Sequence, residues 1–456
     1  MRSFSGEGPR SHERLVRGKP PRLLIAGGLF AVTLLCAAAM PTSFLIESPG
    51  PVLDVSGQVE NKPVVQVSQV STYPSDTNFY MTTVSSVGNP DVGAPGLAVL
   101  GALLSRDEEV MPVRMVYSAE VNNAAVQTYN TALMDSSQDI AGAVAFQKAG
   151  MDVSMTLTVA GVPQDSPAAG KLQEGDVVQA ISAPDVPSSS AASAAQSHTA
   201  GASDSGSTAG AHEQGESAQS ATSSDKSTAV AGNAQGQTAK SDAHSQLGQA
   251  AMPRPTRGAD GFYPAKTFMD LSAVLDTVNP GTDVIVRAVR QGKVFETTIT
   301  TRPYQPDTTG WTHPGSMLGV FMTVSDVKLP GKVDYIMEGI GGPSAGTMFT
   351  MAILDEITPG SLGGDHQIAG TGAISWDGDV EEIGGIRHKI LGARNAGATD
   401  FLAPAANCAQ TIGYEPEGLN IWAIRTIDDA VTAAKAIASG HTDQLTPCSA
   451  VAGNQG

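Results

Sequence analysis

Two glycine-flanked residues in this chain have the chemistry of a nucleophile and its base. Ser344 lies in Ile340-Gly-Gly-Pro-Ser344-Ala-Gly-Thr-Met348, and Lys389 ends Ile383-Gly-Gly-Ile-Arg-His-Lys389. A serine hydroxyl attacks a carbonyl when a neighbouring base takes its proton, and an amine is such a base only when uncharged. A lysine pKa of roughly 10.4 must then fall by about 3 units, which burial can supply. The surroundings fit: Ile383, Ile386, Ile390 and Leu391 flank Lys389, and Ile386 and Ile390 share its helical face. Around the serine, Gly341, Gly342 and Gly346 allow close backbone approach. Met348, Phe349, Ala352 and Ile353 predict a buried helix from Ala345 to about Ile357. Its N-terminal amides would suit an oxyanion, so Gly342 and Ala345 join the candidate site. His366 and His388 are the rival bases. On a helix His388 points about 100° away from Lys389, and both histidines read as loop or surface residues.

The elements that must position this pair sit in a chain of 456 residues, room for two or three domains. A net charge of -18 and a pI near 4.7 argue against general nucleic-acid binding. No G-x-x-x-x-G-K-[ST] phosphate loop occurs, so no nucleotide-binding motif or ATP-driven motor is encoded, and no cofactor is expected. Leu23 to Met40 is an uncharged, mostly apolar run. As a helix it would measure about 27 Å, against a bilayer core of roughly 30 Å. Six basic residues, Arg2, Arg10, Arg14, Arg17, Lys19 and Arg22, precede it against Glu7 and Glu13, which places that end in the cytoplasm and the rest outside. A cleaved signal peptide is the competing reading, because Ala37, Ala38 and Ala39 offer small residues. Beyond the run, Cys408 and Cys448 could form one disulfide in an oxidising compartment; their spacing leaves this open.

Between Phe44 and Gly150, Pro63–Ser68 and Phe79–Val84 read as strands. A helix is expected from about Val121 to Ala149, with Ala125, Tyr129, Leu133 and Met134 as its core stripe. These residues suggest no chemistry, so this region reads as a scaffold. Residues 187–259 are almost entirely Ala, Ser, Gly, Thr and Gln with scattered charges. Such a tract cannot offset its own ordering entropy and is expected to be disordered. His198, His212 and His244 lie there without cysteines or ligand spacing, so no metal site is expected.

The two reactive stretches resemble the proteolytic domain of the Lon family. Gly342-Pro-Ser344-Ala-Gly346 matches its nucleophile motif and Ile383-Gly-Gly-Ile-Arg-His-Lys389 its lysine motif. Ala369-Gly-Thr371-Gly-Ala-Ile374 and Phe401-Leu-Ala-Pro404 leading to Asn407 also match. The resemblance implies an α+β Lon-like proteolytic domain over 310–440, a Ser344–Lys389 dyad, and a Thr371 hydroxyl that hydrogen-bonds the lysine. Residues 151–302 resemble a PDZ domain carrying the 187–259 insertion. Val159-Ala-Gly161-Val162, Ser166-Pro-Ala-Ala-Gly-Lys-Leu172 and Glu174-Gly-Asp-Val-Val178 carry that likeness. The likeness implies peptide capture at a sheet edge near Ala160, Gly161 and Val162.

The order Phe44-Leu-Ile-Glu47-Ser-Pro-Gly50, then Tyr80-Met-Thr-Thr-Val84, then Leu133-Met-Asp-Ser-Ser-Gln-Asp139 with Ala149-Gly150 resembles bacterial membrane-anchored, PDZ-containing Lon-like proteases. The implied order is a cytoplasmic basic tail (1–22), a transmembrane helix (23–40), an extracytoplasmic scaffold (41–150), the PDZ-like domain (151–302), the protease and a tail (441–456). The implied activity is a membrane-anchored, ATP-independent serine endopeptidase of the cell membrane that cuts flexible or unfolded polypeptides. A catalytically idle peptide-binding scaffold is the alternative. A homo-oligomer is compatible with the sequence, which leaves assembly open.

Overall fold

The computed structural model describes residues 22–184, 255–337 and 339–452. The basic tail and nearly all of the expected insertion lie outside them. In chain order, α1 (Arg22–Ala39) is followed by β1 (Phe44–Asp54), the two-residue pair β2 (Gln58–Val59) and β3 (Lys62–Pro63), β4 (Val65–Ser68) and β5 (Asn78–Val87). Next come α2 (Gly96–Ala102), β6 (Glu109–Pro112), α3 (Val113–Val116) and the long α4 (Asn123–Lys148). Strands β7 (Ser154–Gly161), β8 (Val177–Ser182) and β9 (Tyr263–Pro264) precede α5 (Phe268–Leu275), β10 (Asp283–Arg290), β11 (Lys293–Thr300), β12 (Phe321–Lys328) and β13 (Lys332–Tyr335). The C-terminal part holds α6 (Gly346–Ile357), β14 (Gln367–Gly370), β15 (Ala373–Ile374), β16 (Val380–Glu381) and α7 (Ile386–Asn395). It ends with β17 (Asp400–Pro404), α8 (Cys408–Thr411), β18 (Asn420–Ile424), α9 (Ile427–Ser439) and α10 (Cys448–Ala452).

The described residues form two compact units, one within Met1–Ser48 and Ser85–Ala125 and one within Pro49–Val84 and Val126–Gly456. In the smaller unit the opening residues of β1 pair antiparallel with β6, Leu45 opposite Met111. A small apolar cluster of Ile46, Ala94, Val99 and Ala102 lies beneath α2. Helix α1 also belongs here, although the side chains at 22–24, 34 and 37 lie outside the described set. Among the described residues no helix is long and apolar enough to cross a membrane.

Among the described residues the larger unit is built on two large sheets, with three two-stranded ones beside them. In the first, strands run in the order β18-β17-β14-β5-β1, with β14 parallel to both β17 and β5. Parallel strands buried on both faces read as continuous apolar runs, and Asp400-Phe-Leu-Ala-Pro404 is buried throughout. Helix α6 lies in the main core through Met348, Phe349, Met351 and Ile353, together with Phe79, Phe146 and Ile368. Helix α4 joins that core by its C-terminal half. Of the stripe expected from the sequence only Met134 is fully buried, and Tyr129 is exposed. The buried face is instead Ser137 and Ala141 to Phe146, because that half meets α6 and its neighbours. A region read as inert scaffold therefore supplies β5 and α4 to the fold that carries Ser344 and Lys389.

The second sheet runs β11-β10-β8-β7-β12, with α5 packed on it through Leu271, Val274 and Leu275. Thr267 caps α5 in a reciprocal capping box with Asp270. Asp176, fully buried after the glycine turn of Glu174-Gly-Asp176, accepts two hydrogen bonds of 2.8 Å from Arg290. That ion pair and the Gln173 N–H hold the Asp176 carboxyl below its usual pKa, with Arg290 the largest cause. The expected open edge near Ala160, Gly161 and Val162 is occupied: β12 pairs antiparallel with β7, placing Phe321 opposite Gly161 and Met322 opposite Val159. A strand assigned by sequence to the next domain thus completes this sheet, because Phe321 to Lys328 follows a turn that brings it back alongside β7.

Candidate active site

Ser344 sits in the turn that opens α6. Gly346 N–H closes the turn on Pro343 O at 3.2 Å, and Ser137 Oγ of α4 donates to the same carbonyl at 3.0 Å. Only glycine fits at 346, where a Cβ would come within 2.6 Å of Ile374 Cγ2 and 2.7 Å of Ser137 Oγ. Lys389 lies on the first turn of α7. Gly385 caps that helix at φ 69°, where a side chain would be strained and its Cβ would meet Val84 Cγ2 at 2.6 Å. Upstream, the Asn407 side chain clamps Ile383, accepting from its N–H and donating to its carbonyl, both at 2.9 Å. The close packing of Gly385 on Val84 and the Asn407 clamp explain why the Ile-Gly-Gly turn aims Lys389 at Ser344.

The lysine amine is 2.7 Å from Ser344 Oγ, 3.0 Å from Thr371 Oγ1 and 3.2 Å from Thr82 O. The hydrogen-bond partners of this amine suit a neutral base. Thr82 O can only accept, and Thr371 spends its own hydroxyl proton on Ser344 O at 2.9 Å, so its oxygen accepts from the lysine. Two N–H groups are thereby used. A neutral amine then has one lone pair left, facing the Ser344 hydroxyl. Burial supplies the matching energetics: Lys389 is 3% exposed, packed with Ile386 and Ile390, and desolvation lowers its pKa to about 7.

Sheet register explains why the two acceptors converge. Parallel pairing sets Ala369 beside Tyr80 and Gly370 beside Met81. Thr371, just past the end of β14, and Thr82, midway along β5, follow directly on this last pair and so lie side by side. Thr82 and Asn407 were not singled out as site residues by the sequence. No spacing rule connects residue 82 with residue 389, whereas Asn407 was visible only as the end of a matching strand.

Other expected residues fall differently. Ala345, read from the sequence as the start of the helix, is its N-cap, one residue before α6. Gly342 N–H is committed to Asn130 O at 2.9 Å and Thr347 N–H to Gly372 O at 3.1 Å. With Gly346 N–H also used, the expected oxyanion donors narrow to the amides at Ser344 and Ala345. His388 is buried rather than on the surface, since it shares α7 with Lys389 and that helix is enclosed on several sides. His366 lies within 4.0 Å of Asp365 in its loop. Among the described residues, the group within hydrogen-bond reach of Ser344 Oγ is the Lys389 amine, not an imidazole. No cluster of His, Cys, Asp and Glu suited to a metal occurs among the described residues.

Part of the chain is similar to known proteins. Residues 338–436 match the Lon protease (S16) C-terminal proteolytic domain. Lon protease 1 of Sorangium cellulosum is 37% identical over 93 residues, 20% of this chain and 11% of that protein. Lon protease of Fusobacterium nucleatum is 43% identical over 70 residues, covering 15% of this chain and 9% of its own length. Lon protease 2 of Bacillus subtilis is 35% identical over 92 residues, 20% and 16% respectively. The chain thus spans only a small fraction of the curated relatives it matches. Residues 338–436 carry a Lon protease (S16) C-terminal proteolytic domain, and the catalytic type it supports is that of a serine peptidase.

Proposed function

We propose that the protein is a membrane-attached, ATP-independent serine endopeptidase that cleaves flexible or unfolded polypeptides outside the cytoplasm. The observation that carries the catalytic part is the Lys389 amine, 3% exposed and 2.7 Å from Ser344 Oγ. Ser344 Oγ attacks the peptide carbonyl carbon while its proton passes to Lys389 Nζ. The resulting oxyanion is met by the amides at Ser344 and Ala345. The ammonium then returns the proton to the leaving amine as the C–N bond breaks, leaving an acyl-serine. Water, deprotonated by the same amine, attacks the ester and frees Ser344.

An exported location is supported by the buried disulfide between Cys408 and Cys448, which links α8 to α10. Disulfides persist in oxidising compartments. Attachment through Leu23–Met40 is supported by its lack of charge and by the basic residues before it. The missing phosphate loop supports independence from ATP.

Substrate capture moves away from Gly161. A PDZ-like reading of the second sheet now points to the groove between α5 and β12, the terminal strand of that sheet. A cavity of about 430 Å³ there is lined by Phe268, Leu271, Leu275, Leu318, Val320 and Met322. An extended chain could add to β12 and place alternate side chains in this cavity. Phe268→Lys is expected to raise KM for unfolded casein about tenfold, the equivalent of roughly 1.4 kcal/mol. It should spare kcat/KM for a short, freely diffusing peptide. Equal loss with both substrates would mean that the groove is only a packing surface.

The rival reading, a catalytically idle scaffold, is separated by a fluorophosphonate probe. Labelling of the wild type but not of Ser344→Ala is expected. An unlabelled, correctly folded wild type would favour the scaffold.

A further inference from the structure

The smaller unit exposes apolar side chains that its own fold does not need. Helix α2 has no charged residue and buries Val99 and Ala102 against Ile46 and Ala94. Its opposite side and the following turn present Leu97, Leu100, Leu103 and Leu104, between 61% and 89% exposed. Met115, 75% exposed, belongs to the same unit. Scattered exposed leucines are ordinary, but four within eight positions on one short segment mark an interaction surface.

Their placement identifies the partner. Gly96 N–H, the first of α2, donates to Met40 O at 3.0 Å, and Pro95 bridges Pro41. Helix α2 therefore starts where α1 stops, and α1 is itself apolar with Leu29, Phe30 and Leu35 exposed. A bilayer that holds α1 reaches its surface at the residues that touch the start of α2. A second copy of the chain would have to occupy the same narrow zone.

We infer that the leucines of α2 and its following turn insert into the outer surface of the bilayer beside the end of α1, forming a second membrane contact. This inference rests on the membrane-attachment reading of Leu23–Met40. Two contacts, one on each side of the Pro41–Pro95 bridge, would fix the orientation of the smaller unit on the membrane instead of leaving it on a swivel. Insertion of an apolar surface to the depth of the headgroup and acyl boundary needs no spanning length.

The full chain with Cys36→Ser can be reconstituted in phosphatidylcholine–phosphatidylglycerol nanodiscs. A polarity-sensitive fluorophore is then placed at Leu29→Cys, Leu100→Cys or Leu104→Cys. Quenching by nitroxide-labelled lipid at all three sites, with at least a twofold loss of emission, is expected, while a water-soluble nitroxide has little effect. Lipid quenching at 29 with only water-borne quenching at 100 and 104 would overturn the second contact and leave the anchor standing. Absence of lipid quenching at all three sites would instead overturn the attachment reading on which it rests. Shielding of 100 and 104 from both quenchers, increasing with protein concentration, would assign the patch to a second copy and also overturn the proposal.

Discussion

Ser344→Ala and Lys389→Met are each expected to lower kcat/KM for peptide hydrolysis by about 10⁴-fold or more, as when one member of a nucleophile–base unit is removed. The double variant should be little worse than either single one, because both act on the same proton. Alanine removes the attacking oxygen. Methionine keeps most of the lysine stem but has no lone pair of comparable basicity 2.7 Å from Ser344 Oγ. Lys389→Arg should be as inactive, because a guanidinium stays protonated at working pH and cannot accept the serine proton. His366→Ala and His388→Ala should keep most activity, since neither imidazole is the hydrogen-bonded neighbour of Ser344. Turnover in Lys389→Met, or its loss in a folded His388→Ala protein, measured with a quenched fluorescent peptide, would remove Lys389 as the base.

The second large effect is on pH dependence. Burial lowers the Lys389 pKa to about 7, so the reactive free amine is the minor form below that value. A plot of log kcat/KM against pH should rise with unit slope below about 7 and flatten above it. Stability should change over a different window. The unfolded lysine titrates near 10.4, so between about 7 and that value the unfolded chain holds one proton more than the folded chain. Stability therefore rises with pH across this window, by roughly 5 kcal/mol in all, and the penalty of burying the charge is fully present below it. Lys389→Met should lose this rise. Denaturant midpoints at several pH values test it, and an identical slope in wild type and variant would show that Lys389 is not the titrating group.

The reactive pair itself was legible in the sequence because its chemistry depends on local features. Pro343 and Gly346 shape a turn, the apolar period after Ala345 makes a helix, and the Ile-Gly-Gly before Lys389 requires a left-handed cap at Gly385. Each signal acts over a few residues, and steric limits on φ and ψ leave few alternatives.

What joins the pair was not legible. Thr82 reaches Lys389 only because β5 pairs in parallel with β14, a contact between strands almost three hundred residues apart in the chain. Register between distant strands follows from the packing of whole faces and has no local residue code. For the same reason β12 could not be assigned to the sheet with β7: an alternating strand predicts that it will pair, not with which edge. Residue types and short-range spacing thus determined the nucleophile, the base and the need for a buried amine. Tertiary structure alone decided that Thr82 joins Thr371 in satisfying the amine, that the edge at Gly161 is closed, and that the leucines of α2 stay uncovered. Those outcomes depend on long-range pairing and on which apolar surfaces find a partner, and both are properties of the assembled core.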